Sequence, residues 1–469
     1  MYRILSCHGC ERQMLTKFKT LIGLLFVIPT VAAANVSEYQ LDNGLKLIVK
    51  EDHRAPVVVS QVWYKVGSSY EHNGITGISH VLEHMMFKGT ESLGPNEFSQ
   101  IIAANGGREN AFTGRDYTAY FQTLEKDRLE VSFRLEAERM RKLVIDDAEL
   151  LKEREVVAEE RRMRTEDNPH ALVREAFNAM AFVNSPYHHP VIGWMSDINN
   201  YEASDLRQWY QKWYAPNNAT VVVVGDVEPE AVYTLAKKYF GPLKPETTAT
   251  VKPQIEVEQR GKRTIEVKAP AELPYMMMGW KVPVVKTIEK EQSWEPYALE
   301  MLAGILDGGA SARFSRYLVR EEEIAASVGV GYGLFSRLAD MFVVVGTPSK
   351  GHSIADLQRA VMTQIEKLQT ELVTEKELKR IKAQVVANAV YERDSVFYQG
   401  MQIGMLETIG LDWKLTDEYV ENVQVVTAEQ VQAVAVKYFK DKGLTVAELV
   451  PMPLDGKKSL PAAGGRHGR

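Results

Sequence analysis

His80, Glu83 and His84 stand in the order H-x-x-E-H within a stretch of helical periodicity. Histidines four residues apart lie one above the other on a helix, close enough to share one tetrahedral metal ion. A glutamate between them on the same face can take a proton from a water at that metal, so the chemistry suggested is metal-assisted hydrolysis. At about 100° per residue, Ile78, Val81, Leu82 and Met85 form an apolar stripe, and His80, Glu83, His84 and Phe87 form the opposite one. Thr76 is placed to cap this helix and Gly89 to stop it. A solvated face that happens to carry two histidines is the plainer alternative. Chance alone would produce the pentad in roughly 1 chain in 100 of this composition, so the pattern calls for a third ligand.

Residues 146–163, DDAELLKEREVVAEERRM, read as a helix capped by Asp146 or Asp147. Its apolar stripe contains Leu150, Val156 and Val157, and Glu153 and Glu160 fall on that same stripe. Glu155 and Glu159 point toward the charged side. A carboxylate on a buried stripe is costly unless a cation or metal partners it. With two histidines to be matched, Glu160 is the expected third ligand and Glu153 the carboxylate that orients one histidine.

Five segments in order carry a resemblance. They are GSSYEHNGITGISHVLEHMMFKGT (67–90), GGRENAFTGRDYTAYF (106–121), EREVVAEE (153–160), SPYHHPVIG (185–193) and YAPNNATVVVVGDV (214–227). Together they resemble the pitrilysin/insulinase-type zinc metallopeptidases, in the branch similar to the mitochondrial processing peptidase. The resemblance implies one Zn²⁺ per chain on His80, His84 and Glu160, with Glu83 as the proton acceptor. It implies an α+β fold: two homologous α/β-sandwich domains, their mixed, largely antiparallel sheets packed with helices, forming a clamshell around peptide substrates.

Asn110, Ala111 and Phe112 follow a Gly106-Gly107 turn and precede an alternating strand at 116–122. An edge strand beside a metal can bind an extended peptide through main-chain hydrogen bonds, and the family uses this segment so. Phe87 is expected to wall the pocket beyond the scissile bond, with core packing the alternative. The second half departs from the family's L-R-x-x-x-x-L-x-Y pattern. Reading from Arg320, a substrate-binding candidate, the tyrosine position holds Ser327, which cannot supply a long phenolic donor to an oxyanion. Three readings follow. A homologous subunit supplies the missing pair in a heterodimer, or a homodimer acts with Tyr332 or water in that role, or the chain is a non-catalytic relative that keeps its metal.

Two like halves are expected. A zinc domain spans 35–243, a linker 244–262 and a homologous domain 263–452, with a disordered tail at 453–469. Each half closes on a helix ending in KWY or KYF and then a Val-rich strand: 202–213 with 219–225, and 427–438 with 444–449. The second half opens with strands at 264–267 and 275–282. Lys17 and Lys19, an apolar run at 21–31 and Ala32 to Ala34 read as a signal peptide over 1–34, with Met14 the alternative start and 1–13 a mis-assigned extension. That run is short for a membrane span, so a periplasmic or secreted protein of a Gram-negative bacterium is expected, with no transmembrane segment in the mature chain. Cys7 and Cys10, the only two cysteines, would leave with the peptide. A net charge of −6 gives no reason to expect a nucleic-acid partner.

Overall fold

The Val-rich runs become the central strands of two mixed sheets. The structure, a computed structural model, describes residues 36–247 and 251–454. The expected signal peptide, both cysteines and residues 455–469 lie outside the described residues.

The first sheet contains β1 (Val36–Gln40), β2 (Lys46–Glu51), β3 (Val57–Tyr64), β4 (Arg108–Thr113), β5 (Thr118–Glu125) and β6 (Ala219–Gly225), in the order β1-β2-β6-β3-β5-β4. The second contains β7 (Arg263–Pro270), β8 (Tyr275–Val282), β9 (Ala325–Gly331), β10 (Asp340–Pro348) and β11 (Leu444–Met452), in the order β7-β11-β8-β10-β9. β2 pairs with β6 in parallel, as β7 does with β11, and every other pairing is antiparallel. Without β1 the two sheets have the same order and sense. The repeat seen at the two chain closings therefore extends through both halves, in the mixed α/β architecture that was expected.

The fully buried run of β6 needs cover on both faces. Val221 and Val223 join the core under the first half's own helices, whereas Val222 and Val224 face the other way with Ile48 and Trp63. What covers that second face is the helix Val396–Ile409, contributed by the second half through Ile403. The exchange is reciprocal. The helix Pro169–Ala181 of the first half lays Val173 and Phe177 on Met277, Ala447 and Leu449 of the second sheet. Small residues permit both approaches: a Cβ on Gly279 would stand 3.1 Å from the Phe177 ring, and one on Gly404 would overlap the Trp63 indole. Gln61 of β3 donates to Phe397 O at 3.2 Å, anchoring the start of the second crossing helix.

The short elements follow the sequence closely, with small shifts. The helix expected at 202–213 is Ala203–Trp213, where Glu202 and Asp205 complete a capping box before the first turn. The strand expected at 116–122 is β5, because Asp116 is diverted into side-chain contacts with Ser69 and Tyr187.

Gly404→Ala is expected to lift the second crossing helix off Trp63 at a cost of about 1–3 kcal/mol. The check is the thermal unfolding midpoint at a fixed scan rate, which should fall relative to the parent, whereas Gly261→Ala, in open space, should leave it unchanged.

Candidate metal centre

The histidine helix, Ile78–Met85, is held from behind by Ile78, Val81, Leu82 and Met85, all fully buried. Its cap is Gly77 and not the expected Thr76. The Glu71 carboxylate accepts from Gly77 N–H at 2.6 Å and Ser79 N–H at 2.9 Å, doing the work of an N-cap side chain. Burial pushes the Glu71 carboxyl up to about 7 against those two bonds. Thr76 is used elsewhere: its hydroxyl donates to Asp197 at 2.6 Å and accepts from Trp194 N–H at 3.0 Å. Gly77 has φ +86° and faces Gly193 at φ +87°, and a Cβ on either would overlap the other's chain segment. The loop ending at Gly193 is thus pressed onto the start of the helix. Gly89 (φ +119°) turns the chain four residues after the helix has ended at Met85.

The glutamate helix is Asp147–Arg161, and Asp146 caps it by accepting from Ala148 N–H at 2.9 Å and Glu149 N–H at 3.0 Å. Leu150, Glu153 and Val157 are buried, but Val156 is 49% exposed, contrary to expectation. The contact line runs through 150, 153, 157 and 160, and a residue about 100° round from Val157 falls outside it. Arg161 donates to Gly193 O at 2.8 Å and pairs with Glu175 at 2.9 Å. One guanidinium therefore joins this helix to the loop that fixes the histidine helix.

Across the two helices His80 Nε2 stands 3.7 Å and His84 Nε2 3.6 Å from Glu160 Oε2. All three donors lie within 4.8 Å of one another. A tetrahedral zinc with bonds of about 2.0–2.1 Å needs donor separations of about 3.3 Å, so little adjustment is required. His84 Nδ1 faces Glu153 Oε2 at 3.1 Å, which leaves Nε2 for the metal, and Lys88 Nζ closes on Glu153 Oε1 at 2.5 Å. Arg164 takes the other Glu160 oxygen at 2.5 Å. The nitrogen-and-carboxylate donor set, one oxygen free and both Nε2 atoms converging on it, fits zinc.

Electrostatics separate the two imidazoles. Burial, joined by the neighbouring His84, pushes His80 down to about 4. Burial also opposes charge on His84, but the bonds to Glu153 and Glu160 hold it at about 9. The His84 bond in turn lowers both Glu153 and Glu160. Burial raises the Glu83 carboxyl, although the Thr113 hydroxyl donates to Glu83 Oε2.

Thr113 ends β4, which pairs with β5 on one side only and so presents a free edge. Asn110, Ala111, Phe112 and Thr113 line a cavity of about 740 Å³ that also contains the Glu83, His80, His84 and Glu160 side chains. Phe87 does not line it. The helix has ended at Met85, so the helical wheel no longer applies, and the ring packs on Tyr120 (6.4 Å) and the Arg139 guanidinium (5.3 Å). Arg320 is exposed and donates to Ala310 O at 2.7 Å, folded back on the Gly308-Gly309-Ala310 turn of its own half. Ser327 lies on the edge strand β9, and the Tyr332 hydroxyl donates to Pro283 O at 2.7 Å, so neither reaches the cavity. The second half approaches the rim through other residues. Asp340 accepts from Arg115 at 3.1 Å, and Arg337 reaches Asp116 at 3.1 Å and Ser69 Oγ at 2.7 Å. Sequence reasoning had not singled out Thr113, Lys88, Arg164 or Arg115. Thr113 sat inside the quoted NAFT run, and Lys88 lies four residues past His84.

Residues 46–193 match the family described as Insulinase (Peptidase family M16), and residues 200–385 match the family described as Peptidase M16 inactive domain. A zinc protease named PqqE, from Helicobacter pylori, is 33% identical over 447 residues, covering 92% of this chain and 99% of the relative. The crystal structure of a protease from Helicobacter pylori superposes with a TM-score of 0.84 at 31% identity, covering 89% of this chain and all (100%) of that one. A peptidase M16 inactive domain from Pseudomonas fluorescens shares the fold at a TM-score of 0.79 and 18% identity, covering 89% of this chain and 98% of that one.

Metal uptake must displace the proton that His84 holds up to about 9. Zinc affinity is therefore expected to fall by about tenfold for each pH unit below that value, measured by competition with a chromophoric chelator from pH 9 down to 6.5. Glu153→Gln should weaken binding by about 10- to 100-fold and flatten this pH dependence, because it removes a partner of the protonated ring.

Proposed function

The chain belongs to peptidase family M16, the insulinase family, and on that premise we propose that it is a zinc-dependent endopeptidase acting on peptides or unfolded segments. The observation that carries this reading is the placing of a half-buried carboxylate, Glu83, beside the His80, His84 and Glu160 donors and at a free strand edge. Those three residues would hold one zinc per chain, which when bound lowers the pKa of water and polarises a carbonyl. Glu83, its basicity raised by burial, takes the proton of the attacking water and delivers it to the leaving amine. The Thr113 hydroxyl fixes which Glu83 oxygen is free to do so. Glu153 holds the tautomer of His84 through Nδ1. The open edge of β4, with Asn110, Ala111 and Phe112, pairs with an extended substrate main chain, which excludes folded regions.

One observation favours a second reading, that the chain is the zinc-bearing subunit of a dimeric peptidase. Arg320, Ser327 and Tyr332 all stay clear of the cavity, so a donor for the oxyanion would come from a homologous partner, in a homodimer or a heterodimer. The apolar run after Lys19 supports export to the periplasm, and among the described residues no helix is long and apolar enough to cross a membrane.

The test is cleavage of a mixed, internally quenched peptide library by zinc-loaded protein and by Glu83→Gln at equal zinc content. Chelator-sensitive cleavage should fall by about 10²- to 10⁴-fold in the variant. Turnover that survives Glu83→Gln would overturn the mechanism. Cleavage appearing only on addition of a homologous subunit would establish the second reading.

A further inference from the structure

The cavity wall contributed by the helix Pro169–Ala181 carries a charge that the proposed reaction does not use. Val173 and Phe177 of that helix are buried against the second sheet, whereas Arg174 and Asn178, one turn apart on another face, line the cavity. The other guanidinium groups there are occupied: Arg115 pairs with Asp340 at 3.1 Å and Arg164 with Glu160 at 2.5 Å. The neighbouring carboxylate, Glu175, is held by both terminal nitrogens of Arg161 at 2.9 Å. Arg174 is exposed and, among the described residues, has no carboxylate within ion-pair distance. Besides His80 and His84, two more histidines line the cavity. His188 Nδ1 contacts Ser185 O at 2.8 Å, and burial pushes His189 down to about 4, which leaves that ring neutral. A guanidinium stays charged at any working pH. Among the described residues Arg174 is thus the one cavity-lining guanidinium without a carboxylate partner, in the cavity that contains the free edge of β4.

We propose that Arg174 receives a carboxylate of the bound peptide, and so makes this site selective for acidic substrate segments. The inference rests on the peptidase reading above. An extended peptide on β4 turns alternate side chains to opposite faces, so an Asp or Glu within a few residues of the scissile bond can meet the helix. A peptide's own terminal carboxylate offers the same chemistry. Guanidinium and carboxylate match in shape as a two-bond pair, and a cavity strengthens such a pair relative to open solvent. Basic side chains at the same position are repelled, and specificity gains from that repulsion as well as from the attraction.

The test uses one peptide sequence, C-terminally amidated, with Asp, Asn or Lys at each position flanking the cleavage point, and the Asn peptide also as its free acid. In the zinc-loaded protein Asp should exceed Asn in kcat/KM by about tenfold or more at one position, with Lys lowest. Arg174→Gln should bring the Asp-to-Asn ratio to about one, and Arg174→Glu should reverse the order in favour of Lys. A preference for the free acid over internal Asp, lost in the same variants, identifies the chain terminus as the source of the carboxylate. Binding of the same peptides to Glu83→Gln protein, followed by fluorescence anisotropy, should show the same order without turnover. Equal handling of all peptides by the parent, or an acidic preference that survives Arg174→Gln, overturns the proposal. If the protein alone cleaves no peptide, the self-sufficient peptidase reading fails, and the anisotropy order with and without Arg174 still decides whether the carboxylate site exists.

Discussion

Everything at the site depends on bringing one carboxylate oxygen of Glu160 to within 3.7 Å of two imidazoles that belong to a different helix. Polar groups taken out of water at that spacing cost free energy unless each has a partner. The surroundings are built to supply partners: Glu153 for His84, Lys88 for Glu153, Arg164 for Glu160 and Thr113 for Glu83. The two Nε2 atoms face the same Glu160 oxygen, whereas His80 Nδ1 is buried with no hydrogen-bond partner among the described residues. The apposition itself is held by backbone contact, with Gly77 against Gly193 and Arg161 bonded to Gly193 O, so two helices and one loop are tied together.

The two halves of the chain are not independent of each other in this arrangement. Each sheet buries its second face under a helix contributed by the other half. The helix Pro169–Ala181 makes the consequence plain, because one of its faces belongs to the second half's core and another forms a cavity wall. The second half provides none of the three metal donors, yet it positions that wall. It also clamps the rim, through Arg337 on Asp116 and Asp340 on Arg115. Loss of packing far from the histidines would therefore be felt as a change in cavity shape.

Much of this was legible in the residues. The H-x-x-E-H pentad and the buried stripe of 146–163 imposed a metal-binding face and a matching carboxylate. Helical periodicity alone says which side chains share a face. The strands β6, rich in Val, and β8, rich in Met, were readable to the residue because continuous apolar runs are buried on both faces. The wheel failed where its premise ended, at Phe87 beyond the helix and at Val156 beside the contact line. Thr76 was overruled as a cap because a buried carboxylate six residues before Gly77 reached the helix N–H groups first.

What the sequence determined by itself was local: periodicity, caps, strand runs and the chemical types at the metal face, all set by contacts within a few residues. The tertiary structure alone decided which distant segments answer them. Nothing in ATVVVVG indicates that residues 396–409 cover it, and nothing near Glu83 in the chain indicates that Thr113 will hold it. Arg174 belongs to the same class. Its chain neighbours give no sign that it faces a cavity, and its charge has meaning only once Arg115, Arg164 and Glu175 are seen to be paired with others. Long-range pairing depends on how whole faces fit together, and that information is spread over the chain and not written at any one position.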